Sequence, residues 1–186
     1  MSNLSRRTFN TLLGGASMMS LAAPNIAFGA KPKAVIIGGG AGGATAARYI
    51  AKDSNGEIEV TLVEPNKRYY TCFFSNLYLG GLRDFASLGH GYDRLVTQHG
   101  INVIHDWAIG VDGAAKIVTL GSGVELPYDR LVLSPGIDMK YDSLPGYSIA
   151  AQSRAPHGWK SGTQVQIIKA QVEGLREGGT FIMVPP

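Results

Sequence analysis

Five residues carry the chemistry that residue type and spacing can suggest. Gly38, Gly40 and Gly43 lie in the run Gly38-Gly39-Gly40-Ala41-Gly42-Gly43 and satisfy G-x-G-x-x-G. Each glycine has a separate task in such a run. The first permits a tight turn, the second lets backbone approach a diphosphate, and the third lets a helix pack close to a strand. Glu64 follows at the end of an apolar stretch, where a carboxylate can accept hydrogen bonds from ribose hydroxyls. Cys72 is the one thiol, and a thiolate is the strong soft nucleophile of the set.

The elements that must position these residues are legible around them. Lys33-Ala34-Val35-Ile36-Ile37 predicts a strand running into the glycines. Ala44-Thr45-Ala46-Ala47-Arg48-Tyr49-Ile50-Ala51 predicts a helix of small residues, whose N-terminal N–H groups and dipole favour an anion. Glu57 to Val63 predicts a second strand ending at Glu64. Strand, glycine turn, helix, strand and acid in that order make a dinucleotide-binding fingerprint. The motif alone does not choose between FAD and NAD. For Cys72, spacing leaves two readings level: a reactive thiol, or a buried and inert one.

Further along, Pro65-Asn66 predicts a turn, and the aromatic stretch Lys67 to Asn76 a half-buried loop. Residues 77–100 read as irregular and then helical, with Tyr92, Leu95 and Val96 in the core and Gly100 closing the helix. Ile101 to Ala108 reads as one strand, and Lys116–Leu120 with Val124–Pro127 as a hairpin about Gly121-Ser122-Gly123. Arg130 to Leu133 reads as a buried strand ending in the Ser134-Pro135-Gly136 turn, with Asp129 before it serving a turn or hydrogen bond. Val165, Ile168, Val172 and Leu175 give helical spacing over Thr163–Arg176, closed by Gly178-Gly179. Thr180–Val184 reads as a further strand. The four histidines share no metal-ligand spacing and read as structural or surface groups, and Trp107 and Trp159 read as packing.

The fold class expected is α/β: a Rossmann-like domain with a parallel sheet and a small β-meander, over residues 30–150. Residues 151–186 are expected to be a linker, a helix and the first strand of a truncated second dinucleotide-binding domain. Residues 1–29 differ from the rest. They hold no acid, carry Arg6-Arg7 before Thr8-Phe9, continue through an apolar stretch from Leu12 to Ala23, and end in Ala27-Phe28-Gly29. That order reads as a secretory signal, and the paired arginines resemble the twin-arginine type, with an ordinary signal carrying a chance Arg-Arg as the alternative. The apolar stretch falls short of the ~20 residues of a spanning helix, so no stable membrane anchor is expected.

Composition narrows the remaining classes. With 45% hydrophobic and 17% charged residues the chain is not of disordered type. The 25 glycines have no triplet period, which excludes collagen. The net charge of +3 falls to +1 without Arg6 and Arg7 (3 − 2), and no Lys/Arg run supports nucleic-acid binding. One cysteine excludes a disulfide framework or cysteine-cluster metal site within these residues.

Several segments together resemble one family. They are Ala34–Ile50, Val60–Asn66, Tyr69-Tyr70-Thr71-Cys72 with Ser75-Asn76, His90-Gly91-Tyr92-Asp93, Tyr128–Gly136, and Pro156-His157 with Trp159-Lys160. The chain from about Lys33 onward resembles the flavoprotein subunit of flavocytochrome c sulfide dehydrogenase, in the superfamily of flavoproteins with two dinucleotide-binding domains. The resemblance implies FAD at the Gly38–Gly43 turn, with Glu64 on the adenosine ribose. It implies Ala108 backbone against the adenine, Gly136 in a second FAD-contacting turn, and a covalent bond from Cys72 to the flavin. It also implies periplasmic export by the twin-arginine route, sulfide as electron donor, and a c-type cytochrome as acceptor.

The same family uses a redox disulfide beside the flavin. With Cys72 assigned to the tether, no cysteine pair is left for that step, and no catalytic residue is expected within this sequence. Two alternatives stand beside the leading one: a sulfide:quinone or NAD(P)H oxidoreductase, and a truncated FAD-binding module without turnover. On the truncated reading, Val165, Ile168, Val172, Leu175 and Phe181 are expected to stay exposed.

Overall fold

In β1 (Lys33–Ile37) side chains alternate between two faces, as in any strand. Ala34 and Ile36 go to one side of the sheet, Val35 and Ile37 to the other. Both sides are apolar, so both must be covered. A computed structural model describes residues 29–184. It shows a four-stranded, all-parallel sheet in the order β5-β2-β1-β9, with β2 at Glu59–Val63, β5 at Asn102–Ile104 and β9 at Arg130–Leu133. The α/β fold is thus as the sequence predicts.

Helix α1 (Ala41–Asp53) and helix α3 (Asp93–His99) cover the Ala34/Ile36 side, where Ala47, Val60, Leu62, Tyr92 and Ile101 complete a core. The other side is covered by an antiparallel meander: β6 (Ala108–Asp112), β7 (Ile117–Leu120) and β8 (Glu125–Pro127). Val118 and Leu120 of the meander join Val35 and Val63 in a second buried cluster. Gly100, at φ +64°, ends α3 as predicted. Asp129 closes the foot of the sheet: its carboxylate accepts the Lys33 N–H at 2.7 Å, and its own N–H donates to the Lys33 carbonyl at 2.8 Å.

Several expectations are corrected. Ile101–Ala108 is not one strand. The chain leaves the parallel sheet after Ile104 and turns at Asp106, whose carboxylate accepts the N–H groups of Trp107 (2.7 Å) and Ser122 (3.0 Å). The aromatic stretch contains a short strand, β3 (Arg68–Tyr70), paired antiparallel with β4 (Gly89–Gly91), and a short helix, α2 (Ser75–Leu79). Val96 is exposed, as are Trp107 and Trp159, so none of the three is a packing residue.

Helix α4 (Thr163–Glu173) stops at Gly174 rather than at Gly178-Gly179. It packs on α2, where Lys169 lies over the Tyr78 ring (5.3 Å to the centroid) and pairs with Glu173 at 2.8 Å. Along α4 and past its end, Val165 is buried and Ile168 half-buried, while Val172, Leu175 and Phe181 are exposed. The strand expected at Thr180–Val184 does not form. An extended segment becomes a strand only by hydrogen bonding to a neighbour, and no neighbour pairs with this one among the described residues. Among the described residues no helix is long and apolar enough to cross a membrane. The signal assigned to residues 1–29 lies outside the described residues, Gly29 excepted.

Candidate functional site: a glycine turn at the sheet's switch point

The strand order decides where the site lies. From β1 the chain moves outward to β2 and β5, then returns to place β9 on the opposite side of β1. The connections therefore diverge at the carboxyl ends of β1 and β9. Open parallel sheets bind ligands at such divergence points. The glycine run begins at the end of β1, and the Ser134-Pro135-Gly136 turn begins at the end of β9.

Two of the glycines are required by contact. Gly38 sits at φ +98°, and a β-carbon there would lie 2.0 Å from the Ser134 carbonyl oxygen. A β-carbon on Gly43 would lie 1.8 Å from the carbonyl oxygen of Gly38, so helix and turn meet backbone to backbone. Gly40 is the N-cap residue of α1, with no side-chain cap on the helix. The unpaired first-turn N–H groups and the dipole leave this end suited to an anion. A groove of about 330 Å³ opens beside it, lined by Gly39, Gly40, Thr45, Arg48, Thr71 and His90 among others.

Glu64 is brought to the same place. Its Oε2 accepts the Gly39 N–H at 2.8 Å. Its Oε1 accepts both the backbone N–H and the side-chain Nδ2–H of Asn66, each at 2.8 Å. A carboxylate has about four acceptor sites, so these three bonds orient it and leave room for a further donor. The Glu64 carbonyl faces His105 Nδ1 at 2.9 Å.

The other expected residues lie at varied distances from this centre. Gly136, at φ +81°, is two residues past Ser134 on the same sheet edge, with open space where a β-carbon would be. Ala108 is half-buried at the start of β6 and packs into the second core cluster. Cys72 is exposed. Its two neighbours, Thr71 and Phe73, line the groove, and its carbonyl accepts the Ser75 N–H (3.2 Å) and hydroxyl (2.9 Å).

Tyr92 was visible in the sequence only as a core contact. In the fold its hydroxyl donates to the Gly39 carbonyl at 3.0 Å, directly beneath the glycine turn. Burial pushes its hydroxyl pKa far above the ordinary range, with smaller contributions from the Glu64 charge and Tyr69. The signal that could have exposed it was the extra glycine at position 39, since a β-carbon there would meet the Tyr92 hydroxyl at 2.6 Å. His157 is buried away from the turn, beside the Lys160–Asp138 ion pair (3.0 Å). Burial, then the Lys160 charge, hold its imidazole below the usual range, against an opposing pull from Asp138.

Residues 32–176 match the family model of the pyridine nucleotide-disulphide oxidoreductases. The chain belongs to that family. Membership places it among oxidoreductases, with sulfide-processing proteins among its relatives. It is 32% identical over 127 residues to the probable ferredoxin reductase CtmF of Castellaniella defragrans, covering 67% of this chain and 31% of that protein. It is 50% identical over 44 residues to the flavoprotein chain of sulfide dehydrogenase (flavocytochrome c) from Chlorobaculum thiosulfatiphilum, 24% of this chain and 90% of that sequence. In fold it is similar to the sulfide:quinone oxidoreductase of Aquifex aeolicus, with a TM-score of 0.63 at 22% identity, over 76% of this chain and 32% of that one. The chain thus spans about a third of the length of the ferredoxin reductase it matches.

Proposed function

We propose that this chain is the FAD-binding part of an exported oxidoreductase of sulfide dehydrogenase type, with sulfide as electron donor and a c-type cytochrome as acceptor. The observation that carries the dinucleotide assignment is the glycine turn at the β1/β9 divergence, with an uncapped helix end on one side and an oriented Glu64 on the other; the family match and the sulfide dehydrogenase flavoprotein segment favour FAD as that dinucleotide. The residues fit the group. Gly38 and Gly43 have no room for a β-carbon, so backbone itself forms the cradle. When bound, FAD supplies two-electron acceptance from a donor such as sulfide and release of electrons one at a time to a haem partner. The chain's part is to hold it. Gly40 and the first turn of α1 would face the diphosphate, Glu64 would take the ribose, and Gly136 would contribute the second turn. The Ala108 backbone would meet the adenine.

In the same reading Cys72 tethers the flavin as a thioether. Support comes from its exposure between two groove-lining residues and from the 50% identical sulfide dehydrogenase flavoprotein segment. A tether has a physical use in an exported protein, which cannot replace lost FAD. Export is proposed from Arg6-Arg7 and the apolar stretch after them. The 186 residues hold one cysteine, so the redox disulfide that sulfide attacks lies outside them in this scheme.

The full chain, produced with FAD, is expected to be yellow and to keep its flavin after acid denaturation, seen as a mass increase of one FAD. Cys72→Ser is expected to bind FAD and shed all of it in acid. A wild-type chain that takes up no flavin ends the assignment; one that binds flavin and sheds it completely ends only the tether. Reduction of cytochrome c on adding sulfide, measured with the polypeptide that supplies the redox disulfide present, separates the dehydrogenase from a non-catalytic module.

A further inference from the structure

The two peptide planes that meet at Gly39 are each held by a residue distant in sequence. In the first, the Gly39 N–H donates to Glu64 Oε2 at 2.8 Å. In the second, the Gly39 carbonyl accepts the Tyr92 hydroxyl at 3.0 Å. No cis peptide bond occurs among the described residues. In a trans peptide the carbonyl and the following N–H point in opposite directions. The carbonyl held by Tyr92 is aimed into the core, because Tyr92 is only 5% exposed and packs with Ile36, Ala47 and Leu62. The Gly40 N–H must therefore be aimed out of the core, at the open head of α1. It finds no acceptor among the described residues.

We propose that Tyr92 is a positioning residue whose hydroxyl, by fixing the Gly39 carbonyl, presents the Gly40 N–H to the diphosphate of the bound dinucleotide. The inference rests on the FAD reading above. It also divides labour within the glycine run. Gly39 is spent on internal bonds, and its N–H is already taken by Glu64, so Gly40 is the first amide in the run free for a ligand. Tyrosine is required over phenylalanine for one atom, the hydroxyl. The ring itself fills the space beneath Gly39, where a β-carbon would come within 2.8 Å of its carbons. Burial raises the titration of that hydroxyl, in keeping with its place as the donor to the Gly39 carbonyl.

The test uses the full chain, labelled for amide detection, with ADP as probe, since ADP carries the diphosphate but has no ring to tether. In the wild type, ADP is expected to shift and protect the Gly40 amide, which adenosine leaves unmoved. Tyr92→Phe is expected to weaken ADP binding about tenfold, the scale of one hydrogen bond to a charged group. Adenosine, which lacks the diphosphate, is expected to bind both proteins equally. Equal ADP affinity in the two proteins, or a Gly40 amide blind to ADP, overturns the positioning role while leaving the FAD reading intact. Failure of the wild type to bind either ADP or FAD overturns both. If Tyr92→Phe does not fold, the amide response of the wild type decides the matter alone.

Discussion

Gly38→Ala is expected to destabilise the domain by about 3 kcal/mol or more and to abolish flavin binding at micromolar concentrations. Two costs add. The backbone stands at φ +98°, which L-residues rarely adopt, and holding one there costs about 1–3 kcal/mol. The new β-carbon would also sit 2.0 Å from the Ser134 carbonyl oxygen. That obstacle is backbone, so no rotamer change relieves it, and overpacking of this kind costs about 1–3 kcal/mol more. The atoms in conflict are the ends of β1 and β9, the two strands between which the ligand crevice opens. Relief by moving either strand end also moves the Gly136 turn. The check is a denaturant melt of the variant beside a flavin titration. A variant with wild-type stability and wild-type flavin affinity would mean that the turn is not built on this contact.

Glu64→Ala is expected to weaken binding of FAD about 100-fold, or about 3 kcal/mol. Hydrogen bonds to a charged group contribute about 1.5–3 kcal/mol each, and the ribose offers two hydroxyls. The substitution has a second effect inside the protein. Three donors lose their acceptor: the Gly39 N–H, the Asn66 N–H and the Asn66 side-chain amide. The two from Asn66 are exposed and turn to water, whereas the Gly39 bond is part-buried. With that N–H released, the first peptide plane at Gly39 loses its anchor. The loss should thus exceed that of Tyr92→Phe, because ribose contact and turn geometry fail together. Calorimetric titration with FAD and with riboflavin separates the two parts. Riboflavin lacks the adenosine, so its binding should change little; an equal loss for both ligands would place Glu64 in general support of the fold rather than on the ribose.

The part of the site legible in the sequence is the part made by neighbours in the chain. Gly38, Gly40 and Gly43 are spaced by the geometry of one turn entering one helix, and Glu64 follows the next strand of the same strand–helix–strand unit. The same locality explains why α3, α4 and the β7/β8 hairpin were readable from periodicity and turn residues. The misreadings share an opposite cause. Thr180–Val184 has strand composition, but a strand is completed by a partner, and composition does not supply one. Ile101–Ala108 is rich in the strand-forming residues Ile, Val and Trp, yet Asp106 draws two amide groups to itself and breaks it into strands of two different sheets.

By itself, then, the amino-acid order determined an α/β chain with a dinucleotide turn, since periodicity, glycine spacing and helix ends are local properties. Tertiary structure alone decided that β9 returns beside β1 and opens the crevice there. It also decided that Tyr92, 53 positions from Gly39, hydrogen-bonds the glycine turn, and that Val165 is buried while Val172 and Leu175 of the same apolar stripe are not. These outcomes depend on which surfaces meet in space. A hydrogen bond or a buried face belongs to two partners, and the second partner is found only once the chain has folded.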